Sequence, residues 1–572
     1  MRPTPQPRTR SLTIIAQDPG VKVKGKVLRA KIDIPAEEVS PGPWGYRVHV
    51  VDYDTSTATL YKPRKYPSLN SKSGGDPYAG ASDRQLLDDP GFHAQNAYAV
   101  VMKTLARFEF ALGRRVSWGF RGHQIKVAPH AFAEANAFYS ERDEALMFGY
   151  FPGLSGRMVY SCLSHDVVAH ETTHALLDGL RERYTDPSSP EQGGFHEGFA
   201  DIVALLSVYA LPDVVGAIID FASEGRRDNM IARGDLTLES LRRSALFGLA
   251  EEMGQELSAM RGDALRRSAA LTPSTEYMEM DEFEEPHRRG EILVAAMMNA
   301  FLTVWANRLK GLGEVERGFL DRGRVVEEGA SIADYLLTMS IRALDYAPPT
   351  NLEFCDYLSA ILTSDREINP RDSKYNFRQI LRDTFAAYKI IPAAKGTREE
   401  PGIWDSPEGS ISHDRTHFES MQRDPDEVFR FIWDNRRPLR LYEDAYTQVL
   451  SVRPCLRIGP DGFALRETVA EYFQQVTLQA AELKNLQIGV PDDMRKDEEV
   501  TLYGGGALIF DEFGRLKYHV RNRLNDRERQ TQRLKYLWRY GFFRRGRDAF
   551  RNFSFMHRQR ALSTTNRATE EW

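Results

Sequence analysis

Asp166-Val167-Val168-Ala169-His170-Glu171-Thr172-Thr173-His174-Ala175 is the most informative stretch of the 572-residue chain. It lies inside a helical pattern running from Val167 to Leu180. On an α-helix, residues four apart sit about 40° apart around the axis and about 6 Å along it. The imidazoles of His170 and His174 can therefore converge on one tetrahedral ion. Glu171 stands where it reaches a water on that ion rather than the ion itself. The plainer alternative is a pair of surface histidines on a helix. The chain has 13 histidines, so a chance H-E-x-x-H match is expected on the order of 0.02 times.

A zinc site of this kind needs a third protein ligand and one position left open. The next helical pattern supplies a candidate in His196-Glu197-Gly198-Phe199-Ala200-Asp201-Ile202. Its apolar stripe of Phe199, Ile202, Val203 and Leu206 would pack it on the motif helix, pointing Glu197 at the ion. Asp201, one turn later, could accept a hydrogen bond from the outer ring nitrogen of a ligating histidine. A solvated carboxylate favoured by the helix dipole is the alternative for Glu197. Glu191 is another acidic candidate, but it falls in a stretch whose Pro187 and Pro190 read as loop.

These residues resemble the thermolysin-like zinc metallopeptidases, which are gluzincins. The segment 166–175 is similar to that family's active-site helix, and Glu197 with Asp201 to its glutamate ligand and supporting aspartate. Asn136-Ala137-Phe138-Tyr139 resembles the edge strand that grips substrate backbone, and Pro286-His287 through Ala296 the segment bearing a catalytic histidine. Residues 343–389, with Pro349-Thr350-Asn351 and Phe385, are similar to its closing helices. The resemblance covers roughly residues 90–390. Competing zincins do not fit. Metzincins need Gly and His where Leu177 and Leu180 stand, and the aminopeptidase spacing of the glutamate ligand falls on Gly193.

The resemblance implies zinc held by His170, His174 and Glu197, a zinc-bound water, and Glu171 as the general base that later passes its proton to the leaving amine. It implies His287 at the oxyanion, with Tyr184 as the candidate tyrosine beside it. It also implies substrate held by Asn136 and Ala137 through strand addition. Asp166 matches one ligand of the family's calcium pair, but Val208 stands where a glutamate belongs, so calcium is expected to be absent or weakened. Twenty-two residues separate His174 from Glu197, three more than in the family. The family's active-site arginine falls on Arg261, Arg266 or Arg267, with no basis for choosing.

Composition sets the frame around this region. Hydrophobic residues at 42% and charged residues at 27% exclude a disordered chain. The longest apolar run, Ile292 to Ala306, is too short for a membrane span and holds Asn299 and Thr303. Three distant cysteines, Cys162, Cys355 and Cys455, argue against a disulfide framework and fit a reducing compartment. Cys162 reads as a small core residue. No signal peptide is visible, which points to the cytoplasm, with non-classical export left open.

The expected fold class is α+β, a mixed sheet lobe and a helical lobe with an N-terminal β segment and a C-terminal α/β domain. The expected segments are 1–85, a tail (Met1 to Ser11 loose) and β-rich part with linker; 86–392, the metallopeptidase region; 393–426, a linker; and 427–572, a further domain. Within the last, helix is expected near 463–484, a hairpin around 507–520, and a basic, aromatic-rich end. Residues 521–572 hold 14 Lys+Arg against 5 Asp+Glu, on a chain of net charge −5. Such a stretch can bind nucleic acid or an anionic membrane, but the plainer reading is a helix with an aromatic core face and a solvated basic face, which could also dock on the acidic remainder of the chain; a nucleic-acid partner is not expected, and a protein partner could engage the C-terminal domain. The functional expectation is a zinc metalloendopeptidase acting on peptides or proteins. The alternative is a catalytically silent scaffold stabilised by zinc, whose C-terminal domain engages a partner.

Overall fold

Alternating apolar residues build the first two strands, β1 (Thr9–Ile15) and β2 (Arg29–Pro35), which pair antiparallel with Leu12 opposite Ile32. This is a computed structural model. It describes residues 8–543, apart from 24, 70, 72–74, 154–155, 223–228, 251–267 and 408. Arg261, Arg266, Arg267 and the basic end from Arg544 onward lie outside the described residues. Leu12, Ile14, Ile32 and Ile34 turn one face of the ribbon into the core. The Ile15 N–H donates to Asn96 Oδ1 at 2.9 Å. From Thr9 onward, then, the loose tail expected for Met1 to Ser11 is a paired strand.

Asn96 belongs to α1 (Pro90–Leu112), which starts on an Asp89 cap with proline in its first turn and stops at Gly113 in the left-handed region. Against it lies a mixed sheet. β3 (Val48–Val50) runs parallel to β4 (Ile125–Phe132), and β4 parallel to β6 (Ala145–Pro152). β5 (Ala137–Ser140) and β7 (Met158–Tyr160) pair antiparallel with β6. β5 pairs with β6 alone among the described strands, which leaves it an edge.

The helical half follows with α2 (His165–Leu180), α3 (Pro190–Tyr209), α4 (Pro286–Lys310), α5 (Arg322–Arg342), α6 (Phe354–Ile368) and α7 (Phe377–Ala386). α4 is long and apolar enough to cross a membrane, and 83% of its apolar window is buried in the molecule. Neighbours cover most of its central stretch, which is why that stretch is so apolar. α3 begins six residues before the expected start. Pro190, read as loop, is the first residue of the helix, and the Ser189 hydroxyl caps it by accepting from the Gln192 N–H at 3.1 Å.

The C-terminal part holds α8 (Pro425–Asp434), a four-stranded antiparallel sheet and α9 (Arg527–Arg539). The strands are β8 (Tyr446–Ile458), β9 (Ala464–Gln479), β10 (Glu499–Phe510) and β11 (Leu516–Asn522), in that order. The hairpin expected at 507–520 is the β10–β11 pair. The helix expected near 463–484 is instead strand β9. Its alternation is hidden because both faces are covered: Val469 joins the main core, while Ala470 and Tyr472 pack with Val428, Phe431 and Ile432 around α8. A strand buried on both sides loses the period-two signature and can mimic a buried helix.

One hydrophobic core draws on Leu12, Phe199, Leu344, Val469 and Val520 alike. The C-terminal sheet is also joined to the body by buried charge. Asp345 accepts from Arg114 and Arg457, and Arg181 pairs with Glu471. Burial alone would raise the Asp345 carboxyl, but the arginines outweigh it and hold it far below the usual carboxylate range. Trp404, in the stretch expected as a linker, donates its ring N–H to Tyr346 O at 2.9 Å. The start of the basic end docks on acidic residues. Arg539 reaches Glu284 at 2.9 Å and Asp281 at 3.3 Å, and the Tyr540 hydroxyl donates to Glu284 at 2.7 Å.

Candidate metal centre

His170, Glu171 and His174 lie on α2, Glu197 and Asp201 on α3, and His287 in the first turn of α4. Glycine brings the last two helices together. A Cβ on Gly290 would meet Gly194 O at 2.8 Å and Gly198 N at 2.9 Å, and one on Gly198 would meet Gly290 O at 2.8 Å. α3 and α4 therefore cross in backbone contact, which sets Glu197 beside His287.

The ligand atoms of His170, His174 and Glu197 all fall within 4.8 Å of one another, and all three residues are buried. His170 Nε2 and His174 Nε2 are 2.7 Å apart, with Glu197 Oε2 at 3.6 and 3.8 Å from them. The outer nitrogens explain this closeness. His170 Nδ1 donates to Asp201 Oδ1 at 2.6 Å, and His174 Nδ1 meets His196 Nδ1 at 2.8 Å. With the His170 proton on Nδ1, its Nε2 turns a lone pair toward His174 Nε2 and the Glu197 carboxylate. Two imidazole nitrogens and a carboxylate oxygen converge in a buried pocket, and this group of residues could hold a metal ion.

Around this cluster, the backbone N–H of Tyr139 on β5 donates to Glu171 Oε2 at 3.0 Å. The hydroxyl of the same tyrosine donates to Asp178 Oδ2 at 3.2 Å, so one edge-strand residue spans two turns of α2. Asn136 Oδ1 accepts the Ala137 N–H at 2.9 Å, while its buried Nδ2 has no hydrogen-bond partner among the described residues. His287 Nε2 stands 3.5 Å from Glu197 Oε2. Its Nδ1 bonds Glu285 Oε1 at 2.5 Å. Burial would raise the Glu285 carboxyl, but hydrogen bonds from His287 and from the Arg288 and His287 backbone N–H groups hold it down at about 2.

One expected residue is placed elsewhere. Tyr184 is a correction: it is buried, its hydroxyl donates to Pro348 O at 2.8 Å, and its ring stands edge-on to Phe195. The chain leaves α2 in a 3-10 turn, Glu182–Thr185, that carries this side chain into the core, so the oxyanion role is withdrawn. Asp166 sits in the first turn of α2 and accepts from the Ser164 hydroxyl at 2.6 Å, and Val208 is buried in α3. Glu191, the alternative ligand, accepts from the Phe354 N–H at 2.7 Å.

Sequence reasoning missed His196, Glu285 and the double role of Tyr139. His196 and Glu285 had a signal, each being next to or two residues from a named site residue. It also missed a second convergence. His93, His130 and Cys162 bring their ligand atoms within 4.8 Å of one another in the core, although 37 and 32 positions separate them in the chain. No family model matches the chain, and no curated protein matches it.

Proposed function

We propose that this chain is a zinc-dependent metalloendopeptidase of the thermolysin-like kind, with His170, His174 and Glu197 as the ligands. One observation carries the reading: two imidazole nitrogens and a carboxylate oxygen converge while Glu171, on the same helix, faces the edge strand β5. Two imidazoles and a carboxylate are a donor set that suits zinc and leaves a position for water or substrate. When bound, the ion would lower the pKa of a coordinated water and polarise a peptide carbonyl.

The chain's own groups supply the rest. Glu171 takes a proton and returns it to the leaving amine. Its carboxylate is held in place by the Tyr139 N–H. Glu285 holds the His287 ring by its Nδ1, which turns Nε2 toward the developing oxyanion, an interaction worth about 3 kcal/mol. An extended substrate adds to the free edge of β5, with Asn136 Nδ2 as a donor in reach of its backbone. A mixed sheet before α2 and helices after it suit the two lobes of a thermolysin-like peptidase, and the family's preference for an apolar residue after the scissile bond is carried over with it.

The test compares wild type with Glu171→Gln on a broad peptide library, with metal content measured on both. Cleavage by the wild type alone, at equal metal content, supports the reading. A metal-replete wild type that leaves the library intact overturns it in favour of the zinc-stabilised scaffold.

A further inference from the structure

The second cluster is built from three separate elements. His93 lies in the first turn of α1, His130 on β4, and Cys162 in the 3-10 turn Ser161–Leu163 that leads into α2. All three are essentially inaccessible to solvent. His93 Nδ1 and His130 Nε2 are 2.8 Å apart. That distance is short enough for a hydrogen bond, but with one proton on each ring the outer nitrogens leave none for it.

His93 Nε2 lies 2.9 Å from Leu87 O. A carbonyl only accepts, so the His93 proton is on Nε2 and its Nδ1 is a lone pair. His130 Nδ1 lies 2.8 Å from Asp52 Oδ2, and Asp52 Oδ1 also accepts the His130 backbone N–H at 3.0 Å. The His130 proton is thus on Nδ1, and its Nε2 is a lone pair as well. Two lone pairs face each other in the core with a thiol beside them, and only a cation between them makes the arrangement favourable.

We propose that His93 Nδ1, His130 Nε2 and Cys162 Sγ hold a second metal ion, of the borderline-soft class that zinc represents. Imidazole and thiolate select such an ion over calcium or magnesium. Asp52 and the Leu87 carbonyl orient the two rings from outside, as second-layer partners of metal-bound histidines do. The rings of Tyr61 and Tyr160 pack on His130 at 4.7 and 5.3 Å between centroids, and Tyr160 on His93 at 4.5 Å. This ion is structural. It ties α1, the sheet and the entry to α2 at one point, and binding it releases the Cys162 proton, which burial otherwise retains.

The inference stands apart from the proposed peptidase activity, and its test separates the two. Full-length protein is loaded with Zn²⁺ under reducing conditions and examined by elemental analysis and zinc K-edge X-ray absorption. Two ions per chain are expected, with one sulfur neighbour for every two zinc ions. Cys162→Ser should lose the sulfur signal together with one ion. His170→Ala should lose the other ion and keep the sulfur signal. Wild-type protein whose zinc has only nitrogen and oxygen neighbours overturns the proposal without recourse to any variant. The sulfur signal alone, with no ion dependent on His170, would uphold it and sink the peptidase reading instead.

Discussion

The two histidine clusters are alike at their centres and unlike at their rims. Each has two ring nitrogens under 3 Å apart, held so by an acidic residue on an outer nitrogen: Asp201 on His170, Asp52 on His130. Around the first stand the Glu171 carboxylate, an edge strand and a histidine that is itself held by Glu285. Around the second stand tyrosine rings, and the third donor is a thiol. On the readings proposed above, the same inner geometry would serve chemistry where carboxylates and a strand edge adjoin it, and cohesion where aromatic packing closes it.

The largest test of that contrast is Glu171→Gln. Peptide hydrolysis should fall by about 10³-fold while both ions stay bound, read by initial rates and elemental analysis. An equal loss of metal would mean that the carboxylate is structural and that the two clusters do not differ in kind. The outer carboxylates come next. Asp201→Asn should weaken the first ion by about 10–100-fold and lower activity with it, whereas Asp52→Asn should weaken the second by a similar factor and lower thermal stability with activity retained. Competition titrations with a chelator measure both. If the two variants behaved alike in the activity assay, the functional asymmetry would be lost.

Gly290→Ala probes how the first cluster is assembled. The added methyl meets the α3 backbone, so a cost of about 1–3 kcal/mol is expected in denaturant melts, with a lower kcat and an unchanged second ion. The smallest effect concerns pH. Burial, and then the Glu141 charge, push the Asp178 carboxyl up to about 7 from an unfolded value of 3.8. The folded protein therefore keeps a proton that the unfolded chain releases between these values, and stability falls as pH rises through that window. Asp178→Asn should flatten this slope and raise stability at pH 8 by on the order of 1 kcal/mol, seen as Tm against pH. A slope unchanged by the substitution would mean that Tyr139 does not meet a protonated carboxyl there.

Much of the helical half was legible because its signals are local. His170 and His174 four apart, and Phe199, Ile202 and Val203 on one stripe, obey the helix period whatever surrounds them. The proline that opens α3 was misread as loop because proline marks loops and first helical turns alike. Strand β9 was misread because burial on two faces removes the alternation that marks a strand. Tyr184 was misplaced because spacing along a chain says nothing about where a 3-10 turn aims its side chain.

By itself the sequence determined the H-E-x-x-H helix, the mixed class and the placing of Glu197 and Asp201 one helical turn apart, since these follow from short-range periodicity. Only the tertiary structure decided that Gly194, Gly198 and Gly290 press two helices together, that Glu285 holds His287, and that His93, His130 and Cys162 meet at all. The helix crossing and the second cluster join residues tens of positions apart, and the packing that brings them within a few ångströms depends on every element between them.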